Sequence, residues 1–246
     1  MSIASSGDVI AALLLVAMLA MSWYLRRRLR LDFGHGRSGA YLAVTVRQIA
    51  GFALPALLAL ALAGEWRALW VLPASFQRLA REVGVAGWIV ASDGWMLLVG
   101  AAGGSTIGGA IAFIRWRRKG LRGPMFGELG WLLPRDRADL GWGVVLSIVA
   151  GVAEELYFRL TLPLLVALAS GSALAGFVVS SLMFAAAHRY QGIAGVVATG
   201  LTGLVFVAFY FASGALWLAI AAHIIVDLNS LVIRPAVTGA WRPRRI

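Results

Sequence analysis

Long apolar runs separated by short clusters of arginine limit the fold of this chain more than any other feature. A helix needs about 20 residues to cross the hydrocarbon layer. Inside lipid its backbone N–H and C=O groups must be bonded within the segment or to a closed barrel. Seven segments have that character: about Val9 to Leu25, Tyr41 to Ala63, Gly94 to Ile114, Leu140 to Leu168, Ser172 to His188, Ile193 to Ala212 and Ala215 to Ile233. The fold class read from them is all-α, a polytopic transmembrane helix bundle of about seven spans. Pro55 predicts a kink in the second span.

Composition agrees. Of 246 residues 61% are hydrophobic and 13% charged, where a soluble domain carries roughly twice that charge. The net charge of +11 would suit a nucleic-acid partner. That partner is rejected because the basic residues sit in clusters between apolar runs, the arrangement that orients a protein in a membrane. With no cysteine, disulfides, thiolate metal sites and cysteine nucleophiles are excluded. One lysine, Lys119, against 21 arginines suggests a GC-rich bacterial gene and hence the bacterial cytoplasmic membrane. No basic residue precedes the first apolar run within Met1 to Ile10, so that segment reads as a permanent helix rather than a signal peptide.

With the N-terminus outside, eighteen of the 22 basic residues fall on the cytoplasmic side. Arg67, Arg78 and Arg81 stay outside and Arg159 lies within the membrane. That asymmetry predicts N-out, C-in. Between Glu65 and Asp93, with Trp66, Trp70 and Trp88, residues Phe76 to Val83 read as a short interfacial helix. The alternative is an eighth span there, which would flip the N-terminus. Gly103, Gly104, Gly108 and Gly109 predict close helix packing in the third span. Three parts follow: 1–139 as scaffold spans with a basic loop, 140–233 as a four-helix catalytic core, and 234–246 as a basic tail. The sequence assigns no oligomeric state.

An ionisable group deep in a bilayer costs several kcal/mol and marks function by default. Glu154, Glu155, Arg159, His188, His223 and Asp227 all lie in the last four spans, leaving the first three as scaffold. Adjacent helix positions point about 100° apart. Glu155 and Arg159, at i and i+4, therefore form an ion pair, while Glu154 has no local partner and is the candidate general base. Phe184 stands one turn before His188, where it can pack on the imidazole and dry it. His223 and Asp227 share a face one turn apart, so the carboxylate can orient the ring. The bland readings are glutamates that only tie the bundle together, a histidine snorkelling beside Arg189, and a satisfied polar pair. Depth weighs against them. At 1.5 Å per residue from the outer helix ends, Glu154, His188, Asp227 and His223 lie ~21, ~24, ~18 and ~12 Å in, one band from mid-membrane toward the cytoplasm.

The three pieces, Glu-Glu-x-x-x-Arg at Glu154 to Arg159, Phe-x-x-x-His at Phe184 to His188, and His223 followed four residues on by Asp227, resemble in order and placement the motifs of the CPBP family. These are the CAAX-processing and bacteriocin-processing (Abi) membrane proteases. The resemblance covers roughly Leu140 to Ile233. It implies a glutamic-type intramembrane endopeptidase in which Glu154 and His188 activate water, His223 and Asp227 meet the oxyanion, and Glu155, Arg159 and Phe184 support the site. The family has Asn where Asp227 stands, and an ionised aspartate cannot donate to an oxyanion. Asp227 would have to be protonated, or only orient His223. No cofactor is required on this reading. A divalent metal such as zinc, held by Glu154, His188, His223 and Asp227, is the alternative, although no His-Glu-x-x-His signature supports it. The implied partner is a membrane-associated protein or peptide: a prenylated CAAX tail, a bacteriocin leader or a C-terminal sorting tail. A non-catalytic immunity-type partner is the runner-up. A proton-coupled transporter fits less well, because it should show two related halves.

Overall fold

The computed structural model describes residues 6–28, 36–89 and 134–238, with isolated helical positions between 96 and 118. Apart from those positions, the expected third span and its basic loop lie outside the described residues, as does most of the basic tail. The described structure is helical throughout. Helix α1 is Ser6–Arg28 and α2 is Arg37–Gln48; a π-helical turn, Ile49–Ala53, joins α2 to α3, Leu54–Ala63. A short α4, Ala74–Glu82, follows a 3-10 turn at Trp66–Leu69. The core comprises α5 (Arg137–Glu155), a second π turn (Leu156–Thr161), α6 (Leu162–Ser170), α7 (Ala173–Ala187), α8 (Gly192–Ser213) and α9 (Leu216–Leu228). A third π turn, Asn229–Ile233, leads into α10, Arg234–Thr238.

Each π turn ends one residue before an X-Pro pair: Leu54-Pro55, Leu162-Pro163 and Arg234-Pro235. Proline has no N–H to give the carbonyl four residues back, and its ring crowds that carbonyl. Widening the preceding turn relieves the crowding while keeping the helix continuous. The kink expected at Pro55 thus takes the form of a π turn, a feature that recurs at functional sites.

Among the described residues, five helical stretches are long and apolar enough to cross a membrane: Ser6–Arg27, Arg37–Ala63, Arg137–Ser170, Arg189–Ser213 and Leu216–Val237. The expected fifth span is a shorter apolar helix, Ala173–Ala187, bounded by a Ser172 cap and ending at His188. Its 15 residues reach only ~22 Å. That is short of the hydrocarbon thickness of about 30 Å.

The bundle is built inside out relative to a soluble protein. Leu13, Val16, Leu62, Leu182, Leu201 and Leu204 are exposed on its outer surface, while Thr45, Ser147, Glu154, Glu155, Arg159, Thr161, Ser180 and His223 are buried. Helices α2 and α5 run side by side in the same direction. Near their starts Arg37 Nε pairs with Asp139 Oδ2 at 2.5 Å, and near their ends Gln48 meets Glu154. Helix α9 packs antiparallel on α5. A Cβ on Gly151 would stand 2.6 Å from Ile224 Cγ1 and 3.2 Å from its backbone N, so the glycine sets how closely these two helices approach.

Two expectations are corrected here. The amphipathic α4 does not lay its apolar face on lipid. Phe76, Leu79 and Ala80 are buried in the protein, with the Phe76 ring 4.7 Å from Phe177 and 6.3 Å from Tyr210. The apolar face found partners on α7 and α8 that no local pattern could reveal. Trp66, Trp70 and Trp88 remain exposed around it, as residues at a membrane–water boundary would be. No described helix between Glu65 and Ile89 is long enough to be an eighth span. Nor, among the described residues, is close packing seen at Gly103 and Gly104, where a Cβ would meet none of them within 4 Å. A small residue permits close approach without compelling it. Gly108 and Gly109 lie outside the described residues.

Candidate active site

The two adjacent glutamates, on the last turn of α5, diverge as helix geometry requires. Glu155 turns into the sealed interior at 0% exposure. Its Oε1 lies 3.1 Å from Arg159 Nη1 and accepts from His223 Nδ1 at 2.7 Å. The Arg159 guanidinium is itself buried, 3.8 Å above the Phe184 ring and 5.5 Å from that of Phe206. An ion pair survives in such a place only with several compensating contacts. Here they are a second nitrogen on the carboxylate and two aromatic faces for the cation. Gly203 makes the room: a Cβ there would lie 2.9 Å from both Arg159 Nη2 and Phe184 Cδ1. The widened backbone after Glu155 is held by Ser180, whose hydroxyl donates to the Phe158 carbonyl.

Glu154 turns the other way, into a cavity of about 290 Å³ that His188, His223 and Asp227 also line. Its Oε1 accepts from Gln48 Nε2 at 2.6 Å. Its Oε2 is buried, has no hydrogen-bond partner among the described residues, and lies 3.8 Å from His188 Nε2. His188 is fixed through its other nitrogen, with Nδ1 2.9 Å from the Phe184 carbonyl. A carbonyl can only accept, so Nδ1 carries the proton, and in the neutral ring Nε2 is an acceptor facing the cavity. The Phe184 ring packs on that imidazole at 4.8 Å.

His223 is held on three sides. Phe206 stacks on it at 5.0 Å, Phe184 meets it edge-on at 6.2 Å, and Glu155 takes Nδ1. Its Nε2 lies 3.6 Å from Asp227 Oδ2, beyond hydrogen-bond reach. The carboxylate that orients His223 is therefore Glu155, 68 residues away in sequence, rather than Asp227 on its own face. Tertiary packing at Gly151 brings the closer partner.

The structure thus gathers every residue singled out from the sequence: Glu154, Phe184, His188, His223 and Asp227 around the cavity, with Glu155 and Arg159 behind it. Sequence reasoning missed Gln48, Phe206 and Gly203. Gln48 had a readable signal, an amide inside a span assigned to scaffold. The other two look like ordinary membrane-helix residues. Among the described residues, no three His, Asp or Glu side chains converge to hold a metal ion.

An all-helical bundle with spanning-length helices thus brings a carboxylate and two oriented imidazoles together around one cavity. Residues 136–229 match the family profile described as type II CAAX prenyl endopeptidase Rce1-like, in agreement with the CPBP motifs and covering α5 to the end of α9. No curated protein and no solved structure matches the chain.

Proposed function

We propose that the protein is a glutamic-type intramembrane endopeptidase, with Glu154 and His188 as the water-activating pair. One observation carries the reading: Glu154 Oε2 and His188 Nε2, both acceptors, lie 3.8 Å apart and face the same cavity. A water within hydrogen-bond reach of both donates one hydrogen to each and turns a lone pair into the cavity. Its oxygen attacks the scissile carbonyl carbon while Glu154 Oε2 takes a proton. The C=O electron pair moves onto oxygen, and His223 faces that oxyanion. Because Nδ1 already donates to Glu155, the ring must carry protons on both nitrogens to serve this role. Glu154 then passes its proton to the amide nitrogen, the oxyanion re-forms the carbonyl as the C–N bond breaks, and the new acid gives its hydroxyl proton to the amine, so a carboxylate and an ammonium leave.

The substrate on this reading is a membrane-associated protein or peptide. A prenylated CAAX tail is the first to try, since that is the class the matched family's description prints. The bacterial cytoplasmic membrane and the N-out, C-in orientation complete the proposal. The test is cleavage of such a peptide by purified protein in liposomes, alongside membrane-protein fragments in cells. Positioned acid–base groups contribute about 10²–10⁴-fold. Glu154→Gln is expected to lose that much and His188→Ala a comparable factor, with both variants folded. Normal cleavage by Glu154→Gln overturns the assignment.

A further inference from the structure

A second cavity, of about 710 Å³, adjoins the active site, near enough for Arg26 to feel the charge of Glu154, but shares no lining residue with it. Arg26 and Arg27, from the last turns of α1, and Arg189, just past α7, come together along it. No acidic side chain lines it, and none of the three guanidiniums has a carboxylate within ion-pair distance among the described residues. Two of the cations sit against rings instead: Arg26 Cζ is 4.2 Å from the centre of Phe52 and Arg27 Cζ 5.3 Å from that of Trp23. Ser22 and Tyr157 also line it, and the rest of the wall is apolar, with Leu19, Met183 and Ala187 among its residues. The neighbouring exposed Trp23 and Leu182 show that this side of the bundle presents apolar surface outward.

We propose that this groove binds one anionic phospholipid, with its phosphate on Arg26, Arg27 and Arg189 and an acyl chain along Leu19 and Met183. Three cations with no carboxylate lining the groove call for an anion, and guanidinium forks match phosphate oxygens in pairs. The apolar wall calls for a chain attached to that anion. Inorganic phosphate would satisfy the first demand and leave the second wet. Basic pockets between membrane helices at the interfacial end recognise lipid headgroups by the same physics. The proposal does not depend on the proteolytic reading.

The test uses the full chain, purified in a neutral detergent and delipidated. It is then offered phosphatidylglycerol and phosphatidylcholine of equal chain length, and retained lipid is counted by native mass spectrometry. Three charges near one phosphate are expected to favour phosphatidylglycerol by roughly tenfold or more. Arg26→Gln/Arg27→Gln/Arg189→Gln should bring that ratio to about one, by loss of all three charges. The corresponding lysine triple should keep part of it. Arg67→Gln/Arg78→Gln/Arg81→Gln, which changes three exposed arginines elsewhere, should keep all of it. Equal retention of the two lipids by the unaltered protein overturns the proposal whatever the variants do. So does an equal loss in the Arg67/Arg78/Arg81 control, or displacement of the lipid by millimolar inorganic phosphate, which would make this a free-anion site.

Discussion

Glu154 and Glu155 are neighbours of identical chemistry, and the protein uses them in opposite ways. Glu155 is sealed from the cavity and shares one oxygen between Arg159 at 3.1 Å and His223 at 2.7 Å. Glu154 has one oxygen taken by Gln48 at 2.6 Å and turns the other toward His188 across open space. Each leaves its Oε2 without a hydrogen bond. What differs is where that oxygen points: into packed protein for Glu155, into a chamber large enough for reactants for Glu154. A carboxylate becomes structural or reactive by the volume in front of it, and a rotation of about 100° along one helix suffices to switch the two roles.

The comparison breaks most visibly at Arg159. Arg159→Leu leaves Glu155 buried against His223 alone, and losing one member of a buried pair costs about 3–5 kcal/mol. A large fall in the thermal midpoint is expected, while Glu154→Gln leaves that midpoint unchanged within error. Equal falls for the two would erase the distinction between them. Gln48→Leu sharpens the other side. A hydrogen bond to a charged group contributes about 1.5–3 kcal/mol, expected as a roughly 10- to 100-fold loss of cleavage with the fold intact. A loss no greater than that of a neighbouring lipid-facing substitution would return Gln48 to the scaffold. Gly151→Ala pushes on Ile224 and so moves α9, carrying His223, away from Glu155. Overpacking of this kind costs about 1–3 kcal/mol, and ring-nitrogen NMR shifts of His223 should report the lengthened bond. Asp227→Asn has the smallest expected effect, below about 1 kcal/mol, because Asp227 is a part-exposed partner 3.6 Å from the ring. A loss of cleavage as large as that of Glu154→Gln would give Asp227 a direct part in the chemistry.

Much of this was legible beforehand, for reasons that differ from residue to residue. The Glu155–Arg159 pair follows from i, i+4 spacing, and it forms even though a π turn begins between them. The packing of Phe184 on His188 follows from the same spacing. The His223–Asp227 bond expected on identical grounds gave way, because helix spacing predicts only neighbours on one helix and a better acceptor arrived from another. Gln48 was passed over because a lone amide in an apolar span carries no pattern, and its meaning depends on which helix lies opposite.

The sequence by itself determined the all-helical membrane bundle, since apolar runs of spanning length leave the backbone no other solution in lipid. It marked a break in regular helix at Pro55, because proline withholds one N–H at a fixed place, while the widened turns before Pro163 and Pro235 emerged only in the structure. Only the tertiary structure decided which carboxylate holds His223, which one faces the chamber, and that α2 joins the site. Those outcomes rest on how closely helices distant in the chain approach one another. A few ångströms of approach, set at Gly151 and Gly203 by the absence of a side chain, separate a bonded imidazole from a free one.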